Sequence, residues 1–182
     1  MRKVLQLLSV VVVGIAVALM LISPELVLIF GSPKYREAVY VIPPVAASVF
    51  FIFIYNILSM PQFYYEKTQF LMAASMAAAG ANVVLNFIFI RLFGYIAAGY
   101  TTLACYMLYS VGHYIVSKRI LVNEGIQENL MNPGFLLACS VFLIGASIIC
   151  NLIFPYRILR YAILLASAGL VFWKKELLLK TM

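Results

Sequence analysis

Two asparagines, Asn82 and Asn86, interrupt an otherwise apolar run, and a spacing of four puts them one above the other on one helix face. Side-chain amides in such a run have two uses. They hydrogen-bond across a helix contact, for about 1–2 kcal/mol at most in lipid, or they meet the polar groups of a substrate in a cavity. The residues alone leave both open. Two cations accompany them: Lys67 in Tyr65-Glu66-Lys67-Thr68, and Arg91 in the break Arg91-Leu92-Phe93-Gly94. A cation there can meet phosphate oxygens, which arginine binds in bidentate fashion. Asn82, Asn86, Arg91 and Lys67 are therefore the candidate substrate-binding residues. Arg157 and Arg160, three apart after Pro155, are expected to extend along apolar surface to the outer headgroups.

Much chemistry is missing. The chain has no Asp, and its six Glu (Glu25, Glu37, Glu66, Glu124, Glu128 and Glu176) are expected at helix ends or in loops. Acids within a membrane mark proton relays and cation sites, and none is expected here. No paired carboxylates, Gly-rich phosphate loop, HExxH helix or Ser/His/Asp arrangement occurs. The one histidine, His113, lies near Tyr109 and Tyr114 and is expected to be structural, at the membrane interface. Cys105, Cys139 and Cys150 sit in apolar runs without metal-type spacing, as small buried hydrophobes do. The expectation is no enzyme, no metal and no cofactor.

The elements that position these residues are helices. The chain is 65% hydrophobic and 10% charged over 182 residues, with mean hydropathy +1.06, against roughly 45–50% apolar and about 25% charged in soluble domains. Apolar surface on that scale needs lipid as its solvent, so the expected class is an all-α polytopic membrane protein. A hydrocarbon core about 30 Å thick takes about 20 helical residues. Six segments qualify: Val4–Ser23, Glu37–Met60, Phe70–Phe93, Tyr95–Val116, Phe135–Leu152 and Tyr156–Trp173. Pro24 to Gly31 is too short to span and is expected to be half-turned or interfacial. Pro43-Pro44 is expected to kink the second helix, which membranes tolerate. Pro61 to Thr68 and Ser117 to Pro133 are expected loops. The stretch Gly80 to Tyr106 is a hairpin whose second helix carries Ala97, Ala98, Gly99, Thr101, Thr102 and Ala104, small residues that permit close helix approach.

The N-terminal segment has the basic start of a signal sequence, but its apolar part spans about 20 residues rather than roughly 7–15 and lacks a small-x-small cleavage site, so it reads as a retained helix. The net charge of +7 then belongs to helix ends and anionic headgroups, not to a nucleic-acid partner. Arg2, Lys3, Lys67, Lys118, Arg119, Lys174, Lys175 and Lys180 share one side, eight cations against five (Lys34, Arg36, Arg91, Arg157 and Arg160) on the other. The positive-inside rule places both termini in the cytoplasm.

At the hairpin, Asn82-Val83-Val84-Leu85-Asn86, Ile90-Arg91-Leu92-Phe93-Gly94, Ala97-Ala98-Gly99 and Thr101-Thr102 resemble the C-terminal half of bacterial polysaccharide (O-antigen and capsule) flippases of the MATE-like MOP exporter superfamily. Pro24 to Gly31 with Tyr35 and Ala38, and the Tyr65-Glu66-Lys67-Thr68 loop, are similar to further segments of that family. The resemblance covers residues 1–120 by motif and the last two helices by hydropathy. Arg91 stands where the family has a turn proline, and Ala97 and Gly99 rearrange its small residues.

The resemblance implies one lobe of a two-lobed transporter, residues 1–182 forming a single transmembrane lobe. It implies flipping of an undecaprenyl-diphosphate-linked glycan across the bacterial inner membrane for surface polysaccharide synthesis, with cavity cations meeting the diphosphate. Family members have twelve to fourteen helices, so the expected partner is a missing N-terminal lobe or a homodimer mate, and the chain reads as a C-terminal fragment. Two alternatives stay open: a multidrug exporter lobe of the same superfamily, and a small membrane assembly protein that transports nothing.

Overall fold

The structure, a computed structural model, describes residues 2–126 and 130–173, with Pro33 and residues 167–173 described by backbone alone. Among them the regular elements are α1 (Arg2–Phe30), a 3-10 segment (Pro33–Val41), α2 (Ile42–Tyr64), α3 (Gln69–Phe93), α4 (Ala97–Asn123), α5 (Pro133–Ile153) and α6 (Arg157–Trp173). Four helical stretches are long and apolar enough to cross a membrane: Arg2–Phe30, Lys34–Tyr64, Gln69–Phe93 and Pro133–Ile153. Two of the six segments read as spans fall outside that set. α4 is long enough but is diluted by polar side chains, and α6 has 17 described residues.

α2 is the hub. It packs most extensively on α4, then on α1 and α5, and Ala46, Ala47, Phe50, Phe51, Ile54, Ile57 and Leu58 are all buried. Pro43 and Pro44 open this helix instead of kinking it. In the first turn a proline's missing N–H costs nothing, and the chain before it winds as 3-10. α2 and α4 run parallel, joined at repeating points. Ser110 Oγ donates to the Phe51 carbonyl at 2.9 Å, and Ser117, seven residues on, donates to the Leu58 carbonyl, also seven residues on. At the other end Gly99 lets the backbones close. A Cβ there would lie 2.8 Å from Pro44 Cγ and 3.0 Å from the Val41 oxygen. The small-residue face of α4 thus serves α2 at least as much as the hairpin.

Three expected boundaries are corrected. α1 does not stop at Ser23 but continues through Pro24 to Phe30. Pro24 has no N–H for the Met20 carbonyl, and the Ser23 hydroxyl donates to that carbonyl at 2.8 Å instead. The second helix runs on to Tyr64, so Pro61 and Gln62 lie inside it and are buried. α4 runs on to Asn123, so Ser117 is a buried helix residue and not the start of a loop. Glu128, Glu176 and the cations Lys174, Lys175 and Lys180 lie outside the described residues.

α3 contrasts with the rest. It has no buried residue, and its substantial packing is on α4. Gly94 ends it with φ +77°, a left-handed conformation glycine adopts freely, and Tyr95 and Ile96 complete the turn into α4. Across the bundle many large apolar side chains stand bare, Ile15, Ile29, Met72, Val83, Leu137 and Leu152 among them. Such continuous apolar surface is foreign to a water-exposed monomer.

Candidate functional site

A polar opening lies among α2, α3 and α4, away from the helix ends. Tyr55 of α2, Ser75 and Asn82 of α3, and Thr102, Tyr106 and Tyr109 of α4 line a cleft of about 470 Å³ together with small apolar residues. Thr102, Tyr106, Tyr109 and His113 recur at spacings of four, three and four, which is one face of a helix. That stripe is visible in the sequence and is the signal that could have found this site.

The rings are ordered by one another. Tyr55 lies parallel to Tyr106, centroids 6.4 Å apart, and tilted against Tyr109 at 4.7 Å. Ser75 Oγ spends its only proton on the Leu71 carbonyl (2.8 Å), so the 2.7 Å contact with Tyr109 is a bond donated by the tyrosine. Deeper in, His113 is fully buried between the Tyr55, Tyr109 and Phe70 rings. With the Gln62 amide nitrogen 2.8 Å from Nδ1, that ring nitrogen accepts and the imidazole is uncharged, its proton on Nε2. His113 Nε2 and Gln62 Oε1 are buried without a hydrogen-bond partner among the described residues. His113 has the structural role expected of it: it is a core residue held to α2.

The structure brings two of the four candidate residues together. Asn86 Nδ2 donates to Asn82 Oδ1 at 2.9 Å, and Thr101 Oγ1 donates to Asn86 Oδ1 at 2.5 Å. Asn86 therefore fastens α3 to α4, and Asn82 lines the cleft. Arg91 is elsewhere, exposed in the last turn of α3 with its guanidinium 3.8 Å over the Phe87 ring. Lys67 is exposed in the α2–α3 turn, at the opposite end of α3. Near Arg91's end, Tyr95 donates to Glu37 Oε2 at 3.1 Å, and lost hydration together with that bond pushes the tyrosine hydroxyl above the usual phenol range.

A second polar cluster overturns two expectations. Arg160 does not reach the headgroups: it is 2% exposed, and its guanidinium grips Glu25 through Nη1–Oε2 at 2.9 Å and Nη2–Oε1 at 2.8 Å. Nη1 also donates to the Leu21 carbonyl, and Tyr161 donates to Glu25 Oε1. Glu25 accordingly lies inside a helix that could span, not in a loop. Its partner is 135 residues away, which no local pattern reveals. A fork of two parallel bonds is the geometry guanidinium and carboxylate favour.

Among the described residues no group of three or more His, Cys, Asp and Glu could hold a metal ion. Comparison with protein-family models, with curated proteins and with solved structures finds no match for this chain.

Proposed function

We propose that the chain is one lobe of an exporter that flips a lipid-linked oligosaccharide across the bacterial inner membrane, as the resemblance to polysaccharide flippases of the MATE-like superfamily implies. The observation that carries the reading is the polar cleft, away from the helix ends, beside a helix that buries nothing. Polar residues within a membrane face a bundle interior or a water-filled cavity. Asn82, Thr102 and the three tyrosines line an opening with α3 as its outer wall. A second lobe, in the same polypeptide or from another copy, would close the bare face of α3 and complete a cavity. All six helices then span the bilayer, with both termini in the cytoplasm. Cations on the facing lobe, or Arg91 and Lys67 at the cavity ends, would meet the diphosphate, while the prenyl tail stays in lipid.

A multidrug exporter lobe is the weaker reading. It calls for a free acid as an ion-coupling group, and of the two acids within candidate spans Glu25 has both oxygens engaged by Arg160 while Glu37, near the start of its stretch, accepts from Tyr95. The test is export in cells. Deleting the gene should abolish arrival of the glycan at the outer face, and the wild-type gene should restore it. Asn86→Leu should insert at normal levels yet restore less than about a tenth of export. Unaltered export in either strain would sink the proposal. An immunoblot of the native protein separates the two partner arrangements: a band above twice 20.3 kDa means both lobes share one polypeptide, and a band near that mass means two copies.

A further inference from the structure

We infer that the cleft between α2, α3 and α4 is a binding site for an uncharged sugar ring, so that, on the flippase reading on which this step rests, it holds the glycan and not the diphosphate of the carrier.

The lining decides the class of ligand. Three tyrosine rings and no charged side chain face the opening. Neither candidate cation lines it: Arg91 stacks on Phe87 and Lys67 lies in the α2–α3 turn. An anion would find nothing to neutralise it in a medium where unpaired charge is costly. A cation would find ring faces but no carboxylate, since the chain lacks Asp and Glu is absent from the lining.

The hydrogen-bonding capacity is largely unspent. The hydroxyls of Tyr55, Tyr106 and Thr102 and the amide N–H groups of Asn82 have no partner among the described residues. Tyr109, having donated to Ser75, keeps its oxygen free to accept. An acyl chain in this cleft would leave four polar groups without any partner, which is the arrangement lipid tolerates least. A sugar satisfies both halves of the lining. Its hydroxyls donate and accept around the rim, and its C–H face lies on the electron-rich faces of the tyrosines. A cleft of about 470 Å³ falls within the roughly 300–1,000 Å³ of small-molecule sites.

The experiment is saturation-transfer NMR on the full chain in lipid nanodiscs, with methyl hexosides as probes and inorganic pyrophosphate and choline as competitors. The expected result is transfer to the C–H face of at least one hexoside, undiminished by either competitor. Thr102→Val and Tyr106→Phe, which keep shape and remove one hydroxyl each, should weaken binding about fivefold to tenfold, the size expected for one hydrogen bond. Tyr55→Leu should abolish it, and Leu92→Ala, on the bare face of α3, should not change it. If Tyr55→Leu fails to fold, the two conservative variants carry the test. No transfer from folded wild-type protein, displacement by pyrophosphate or choline, or indifference to the hydroxyl variants would overturn the inference. The export assay separates this from the broader reading. Hexoside binding without any export defect leaves the sugar site standing and removes the flippase. Export with a silent cleft does the reverse.

Discussion

α2 and α3 are neighbours in the chain, similar in length and similarly apolar, yet one is enclosed and the other has no buried residue. The difference is not hydrophobicity, because lipid tails are as apolar as leucine and give helices no reason to associate. It lies in what breaks the apolar surface. α2 presents the alanine pair Ala46-Ala47 and carbonyls that Ser110 and Ser117 of α4 can reach, and Gly99 allows the approach. α3 has its small residues too, but Gly80 has nothing within 4 Å of the position its Cβ would take, and among the described residues its cross-helix bonds reach only α4. Small residues permit contact, and polar atoms aimed at a partner make it happen.

Three measurements test that contrast, all by unfolding in mixed detergent micelles. The largest effect is expected where enclosure depends on charge. Arg160→Met strands the Glu25 carboxylate and should cost about 3 kcal/mol, the lower end of what one-sided removal of a buried pair costs, because Glu25 keeps some exposure. The double change with Glu25→Gln should recover most of that. Equal loss in single and double variants would show that α6 is held by packing instead. Next comes a glycine comparison. Gly99→Leu drives carbon into Pro44 and Val41 and should cost about 1–3 kcal/mol, as overpacking does, whereas Gly80→Leu should stay within about 0.5 kcal/mol. If the two match, the contrast between enclosed and open helix fails. The smallest effect is expected at the polar fastening of α3. Asn86→Leu removes its bonds to Asn82 and Thr101 and should cost about 1 kcal/mol, with most of the strain appearing as looser protection of α3 amides from exchange.

What could be read in advance followed from sequence distance. The pairing of Asn82 with Asn86, and of Asn86 with Thr101, lies within one hairpin, where periodicity sets the register. The tyrosine stripe of α4 was legible as spacing, though not as the wall of a cleft, since Tyr55 comes from another helix 51 residues before Tyr106. The helix through Pro24 was hidden because a proline breaks a helix on average, and the rescue depends on one adjacent serine hydroxyl. The Gln62–His113 bond and the Glu25–Arg160 fork were beyond reach for the same reason: residues far apart in sequence meet only through the fold.

That fork also has a history in time. Glu25 leaves the ribosome 135 residues before Arg160, a delay of roughly 7–30 seconds at about 5–20 residues per second. For that interval the first helix carries an acid whose counter-ion has not been made. A chain inserted as proposed must hold Glu25 near the headgroups or carry it protonated until α6 arrives. Arg160 and Glu25 then discharge each other's cost of entry together. On that insertion, a nascent chain that stalls before residue 160 would hold a carboxyl without the counter-ion that the fold provides for it.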